Sequence, residues 1–125
     1  MNLLKRQEED ITLTITSVNQ DLDSLEVSCE GPGGRYGSVF CSYRLQSFDA
    51  EKGVCFTTGR GFPDEGSMIH GEAVGLWRRN GERIDIKQIV DINNGDQNLD
   101  IISIDMHSKT VKIRPFVLEA ITDLG

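Results

Sequence analysis

Asn80-Gly81 stands between two runs that alternate small or apolar residues with polar ones, "GEAVGLWRR" before it and "ERIDIKQIV" after it. In that setting an Asn-Gly pair is the strongest short-range sign of a two-residue β-hairpin, because both residues tolerate positive φ. Turn length dictates which residues of a hairpin oppose one another. With Asn80 and Gly81 at the centre, Trp77 faces Ile84, Gly75 faces Ile86, Ala73 faces Gln88 and Gly71 faces Val90. The stripe Gly71-x-Ala73-x-Gly75-x-Trp77, which ends in the chain's one tryptophan, therefore shares a side with large aliphatic residues. That side is the interior. Arg78, Arg83, Asp85, Lys87 and Asp91 fall on the opposite, solvated side.

The same period of two recurs in "ITLTITSV" (11–18), in "LEVSCE" (25–30) and in a long strand that runs from about Tyr36 to Phe48 after a Gly-Pro-Gly-Gly loop. "DAEKG", "PDEG", "NNGD" and "HS" divide the strands that follow. Away from the tails no segment has a helical period. The chain reads as all-β, an antiparallel meander of about eight strands. Its 125 residues form one domain, 1–125, with tails over about 1–10 and 119–125, and are enough to bury a core. A meander of this length removes its edges by closing on itself. Eight strands leave an interior that holds side chains or one small ligand. The expected architecture is a closed or nearly closed barrel; a curved open sheet or sandwich is the alternative.

The remaining turns extend the register. A four-residue turn at Pro63–Gly66 pairs Ile69 with Arg60, Gly71 with Thr58 and Ala73 with Phe56. A two-residue turn at His107-Ser108 pairs Ile104 with Val111 and Ile102 with Ile113. An odd-length loop at Asn94-Gly95-Asp96 opposes Ile86 to Ile104, Gln88 to Ile102 and Val90 to Asp100. A four-residue turn at Ala50–Gly53 turns Val39, Cys41, Tyr43 and Leu45 inward and sets Tyr43 beside Arg60. Tyr43, Thr58, Arg60, Gln88 and Asp100 then gather at one end of the interior. With Gly71 widening the lumen and Trp77 flooring it, these seven residues are the candidate ligand-binding set. In a functional reading, Arg60 and Tyr43 donate to an anion or carbonyl at the barrel mouth. In a structural reading, an Arg60–Asp100 ion pair plugs that end, since a charge there is expensive unless paired. The glycines would then serve only the sharp coiling of a small barrel.

The net charge of −7 and pI near 4.7 repel nucleic-acid backbones and anionic membranes. Arg78, Arg79, Arg83, Lys87 and Lys112 are interleaved with acids and form no basic stripe. "MNLLKRQEED" has no apolar signal core, and no run is long enough to span a membrane. Cys29, Cys41 and Cys55 are odd in number, lack Cys-x-x-Cys spacing and lie in strand patterns. Buried free thiols in a reducing, cytoplasmic compartment are expected.

"GRGFPDEGSMIHGE" is similar in its glycine, proline and histidine spacing to cupin metal motifs, but the His-x-His pair is missing. With only His70 and His107, a three-histidine site is impossible. His70 falls on the outer face near Glu72 and opposite Asp91, as an ordinary surface pair. There is no nucleophile elbow, phosphate loop or Cys–His pair. The paired carboxylates at Glu8 to Asp10, Asp21 and Asp23, and Asp64 and Glu65 sit in tails and turns. No catalytic residue, cofactor or metal is expected.

Val74, Leu76, Ile89, Leu99 and Ile101 lie near one another on the outer face, a pattern that marks an interface. A homodimer through this sheet is expected, unless Leu3-Leu4 or a short helix in "VLEAITDL" covers the patch. The meander over residues 11–118, with "GRGF…GEAVGLW" running directly into an Asn-Gly hairpin, resembles the calycin-like barrels. It is similar in particular to the allene oxide cyclase-like barrels and their uncharacterised bacterial relatives. The resemblance implies a barrel with an apolar ligand, often in an oligomer, and carries over no catalytic residue. Three functions follow as expectations. The first is binding of a small apolar or amphipathic ligand in the interior. The second is a protein-interaction module with a filled barrel. The third is an isomerase or cyclase-like enzyme in which Arg60 or Tyr43 polarises a carbonyl.

Overall fold

Each alternating run becomes a strand in the computed structural model, which describes residues 5–6 and 10–119. The strands are β1 (Lys5–Arg6), β2 (Ile11–Gln20), β3 (Ser24–Pro32), β4 (Ser38–Ser47) and β5 (Lys52–Phe62), then β6 (Ile69–Asn80), β7 (Arg83–Ile92), β8 (Gln97–Asp105) and β9 (Thr110–Glu119). A single 3₁₀ turn, Gly34–Tyr36, separates β3 from β4. Neighbours pair antiparallel in chain order, and β9 pairs with both β8 and β2, so β2–β9 close into an eight-stranded barrel. The open-sheet alternative is thereby set aside. Short β1 pairs with β9 at Lys5↔Val117 and Arg6↔Phe116. Val117–Glu119 of the "VLEAITDL" segment is strand rather than helix. Leu3-Leu4 and the rest of that segment lie outside the described residues.

One end of the barrel is solid. Leu13, Val27, Leu45, Ile86, Ile102, Ile104 and Val111 are each 2% exposed or less, and burying each contributes ~2 kcal/mol of transfer free energy. Trp77 closes this end, its Nε1–H donating to the Gln46 carbonyl at 2.9 Å. The indole can lie there because residue 53 is glycine. A Cβ at Gly53 would stand 1.7 Å from the Gln46 carbonyl oxygen and 2.6 Å from Trp77 Nε1.

The expected faces hold for β4, β6, β7, β8 and β9, although two registers are displaced. Asn80 pairs with Arg83, so the turn is Gly81-Glu82 and Trp77 opposes Ile86. Only Gly81 of that pair has positive φ (64°), as a type II′ turn requires at its first central position. Between β7 and β8, Gln88 opposes Asp100 and Val90 opposes Asn98. Both displacements are by two residues, which leaves every side chain on its face. The last hairpin pairs Ile104 with Val111 and Ile102 with Ile113 as expected.

Strand β5 is the correction. Tyr43 opposes Thr57 and Ala73 opposes Thr57, so Cys55, Thr57 and Gly59 point inward, whereas Phe56, Thr58 and Arg60 point outward. The turn expected at Ala50–Gly53 runs instead over residues 48–52, where Asp49 Oδ1 accepts from the amides of Glu51 (2.8 Å) and Lys52 (3.1 Å). Gly53 is thereby drawn into the strand beneath Trp77. The connection to β6 is also odd in length, with Gly61 opposite Ile69. A Cβ at Gly61 would meet the Tyr36 carbonyl at 2.6 Å, so no larger inward residue fits.

Candidate functional site

The other end of the barrel encloses a cavity of about 100 Å³. Its apolar walls come from Ile11, Val39, Ile69, Val90, Ile92 and Ile113, and its polar side from Cys41, Tyr43, Thr57, Gln88 and Asp100. Thr57 on β5 donates its hydroxyl to Gln88 Oε1 on β7 at 2.8 Å. That leaves the Gln88 amide N–H groups to donate to the neighbouring Asp100 carboxylate. Gly75 makes this crossing possible: a Cβ there would stand 2.7 Å from both Cα and Cβ of Gln88.

Asp100 is the group left over. Its Oδ1 is out of reach of solvent and has no hydrogen-bond partner among the described residues. Burial pushes its pKa up to about 7 against the opposing hydrogen bond from Gln88. Tyr43, with 1% exposure, has its phenol raised by desolvation and by the charges of Cys41, Cys29, Asp100 and Cys55. Cys41 moves the other way. A hydrogen bond from the Cys29 thiol, helped by the Tyr43 hydroxyl, lowers its pKa against burial and the Asp100 charge. Burial lifts Cys55 to about 11, opposed by its contact with the Thr57 hydroxyl at 3.4 Å.

A polar latch folds over the cavity mouth. The 3₁₀ turn brings Arg35 into an ion pair with Asp96, a carboxylate only 1% exposed. The Tyr36 hydroxyl donates to Asp96 Oδ2 at 3.0 Å and accepts from Asn98 Nδ2 at 3.1 Å. The barrel end does carry an ion pair, but between Arg35 and Asp96 rather than between Arg60 and Asp100.

Of the seven residues expected to bind a ligand, Tyr43, Gly71, Gln88 and Asp100 line the cavity. Arg60 borders it, yet its side chain is exposed on the outer face between Phe40 and His70. Thr58 is likewise outward, and its neighbour Thr57 takes the inward place. Trp77 belongs to the packed end and does not floor the cavity. His70 is on the outer face as expected but opposes Arg60, while Asp91 opposes Glu72.

Cys41, Thr57, Arg35, Tyr36, Asp96 and Asn98 were missing from the sequence reading of the site. The face assignment of β4 placed Cys41 inward, and Asn98 shares its face with Asp100. The latch had no periodic signal at all. Among the described residues, no three His, Cys, Asp or Glu side chains cluster closely enough to hold a metal ion. Among those residues no helix is long and apolar enough to cross a membrane.

On the outside, Val74 (60% exposed), Leu76 (62%) and Ile89 (58%) are open to solvent, and Leu99 and Ile101 are partly so. Register joins them in one row across five strands, Phe56–Val74–Ile89–Leu99–Phe116, with Leu76 and Ile101 in the row beside it.

Compared with protein-family models, with curated proteins and with solved structures, the chain matches none.

Proposed function

We propose that the barrel binds a small, largely apolar molecule carrying one hydrogen-bond donor, an alcohol or amine, in the cavity at its latched end. The observation that carries this reading is Asp100 Oδ1, a buried acceptor without a hydrogen-bond partner among the described residues, on the polar side of a largely apolar space. Such an atom costs about 1–3 kcal/mol, which a donor on a ligand recovers. On β2–β9 the Lys, Arg and His side chains are exposed, Arg60 and His70 among them on the outer face although both border the cavity, so this reading replaces the anion- or carbonyl-binding mouth built on Arg60 with a donor-recognising one. Carbonyl polarisation by Arg60 falls with it. The cavity is smaller than an engineered cavity of ~150 Å³ that accepts benzene. It therefore takes a short chain or the tip of a longer molecule.

Titration of the ¹⁵N-labelled protein with butylamine and butanol tests this. Saturable shifts are expected at Cys41, Tyr43, Thr57, Gln88 and Asp100, with affinity weakened about tenfold in Asp100→Asn, the loss of roughly one charged hydrogen bond. Shifts that never saturate, or that are equal in the variant, would overturn it.

The outer row supports a second reading, self-association with another copy of the chain. Lys87 and Asp91 lie two residues to either side of Ile89 on β7. A two-fold axis laid along the Phe56–Val74–Ile89–Leu99–Phe116 row sets each apolar residue against its copy and Lys87 against Asp91 of the second subunit. An axis along the strands would oppose lysine to lysine. Charge thus selects one isologous arrangement.

A further inference from the structure

We propose that Cys29 and Cys41 form a redox-active dithiol opening on the barrel cavity, in which Cys41 reacts first with a small hydroperoxide and Cys29 resolves it. The geometry comes from strand register. Cys29 on β3 and Cys41 on β4 are direct cross-strand partners, and both face the lumen. Opposed residues of an antiparallel pair have Cα atoms ~4.5–5.5 Å apart, inside the ~4.4–6.8 Å range that a disulfide spans. The two thiols differ in access. Cys41 is half-buried and lines the cavity, whereas Cys29 is 2% exposed and sits behind it. Room for the Cys41 sulfur is made by Gly59 across the strand, where a Cβ would lie 3.3 Å from Sγ. The direction of the Cys41 shift, toward the thiolate, agrees with its role as the attacking sulfur.

Cys55 is excluded by position. It pairs with Leu45, while Gly59 opposes Cys41, so Cys55 lies four residues, or ~13 Å, along β5 from the Cys41 row. Its thiol also contacts Thr57.

The reaction balances as a two-electron reduction of the peroxide. The Cys41 thiolate attacks the terminal oxygen of ROOH; an S–O bond forms, the O–O bond breaks, and RO⁻ leaves to take a proton as ROH. Cys29 sulfur then attacks the Cys41 sulfenic sulfur. The S–S bond forms, the S–O bond breaks, and hydroxide departs with the Cys29 proton as water. A small-molecule dithiol returns the pair to the reduced state by exchange, giving up two electrons and two protons. This activity uses the cavity described above but does not require Asp100 to bind a ligand.

The full chain, freed of reductant, is treated with one equivalent of hydrogen peroxide or tert-butyl hydroperoxide, and its thiols are counted after denaturation. The three thiols of the chain are expected to fall to one, with loss of two hydrogens in the intact mass and a proteolytic fragment joining Cys29 to Cys41. Cys55→Ser keeps this reaction. Cys29→Ser stops at a sulfenic acid that dimedone traps on Cys41. Cys41→Ser slows peroxide consumption at least about tenfold, the scale expected when the activated thiolate is removed. Three thiols surviving in the wild type, or a linkage that includes Cys55, would overturn the proposal. The wild-type mapping decides the matter even if a serine variant fails to fold. The butylamine titration of Asp100→Asn remains an independent test of the ligand reading.

Discussion

Asp100 couples the cavity to the stability of the fold. Its carboxyl rises from 3.8 to about 7 on folding because burial disfavours its charge. Below pH 3.8 both folded and unfolded chains hold the proton, and the group is neutral in the balance. As pH climbs toward 7 the unfolded chain releases the proton and the folded one does not, so stability falls; above 7 the penalty is complete and constant. Asp100→Asn keeps the shape and removes the charge. It is expected to be more stable than the wild type at pH 8 by on the order of 3 kcal/mol, and nearly equal at pH 4, by urea denaturation. An equal difference at both values would place the effect in packing. Gly53 sets the opposite kind of limit. Gly53→Ala drives a methyl into the Gln46 carbonyl and the Trp77 indole, and a loss of about 3 kcal/mol is expected, with a change in Trp77 fluorescence in step. A neutral result would mean that the strand pair at Ser47↔Gly53 yields easily.

At the scale of elements, side-chain alternation carried most of what was legible. Strands β6 and β7 showed their faces plainly, because Ile84, Ile86, Gln88 and Val90 alternate with Asp85, Lys87 and Asp91. A turn displaced by one position moved the register by two, and no side chain changed face. Strand β5 was the exception, for a physical reason. Val54-Phe56-Thr58 and Cys55-Thr57-Gly59 are both credible inward sets by hydrophobicity, and the choice rests on distant partners. Trp77 needs an empty place at Gly53 and Tyr36 needs one at Gly61, and neither contact is visible from alternation. Five of the seven expected ligand residues were consequently found at the cavity, Arg60 only at its border, while the side chains of Thr58 and Arg60 went outward together. The latch was illegible because it is non-repetitive structure held by contacts between residues about sixty positions apart, Arg35 and Tyr36 with Asp96. Tyr36→Phe removes a hydroxyl bonded to both Asp96 and Asn98. It is expected to cost about 1–3 kcal/mol and to speed amide exchange in residues 33–37 more than in β7. Uniform acceleration would mean that the latch opens only with the whole barrel.

For the whole molecule, closure through β8, β9 and β2 leaves the barrel strands paired on both sides and directs any assembly to a face rather than to an edge. The Phe56–Val74–Ile89–Leu99–Phe116 row is where such a face would form. Under the self-association reading, Leu76→Glu yields a monomer by light scattering, and Lys87→Glu weakens assembly until Asp91→Lys restores it. A wild type that is monomeric at every concentration removes that reading and leaves the cavity untouched. The packed end and the hollow end divide the labour of the barrel. Stability rests with Trp77 and the aliphatic cluster, and the proposed ligand binding with the space between Asp100 and the latch. The measurement that tests this division most directly is the titration of the Asp100 carboxyl carbon by ¹³C NMR, with and without saturating butylamine. The account predicts a pKa of about 7 in the free protein and a clear downward shift when an ammonium group occupies the cavity. A carboxyl that titrates near 3.8 and ignores the amine would contradict it.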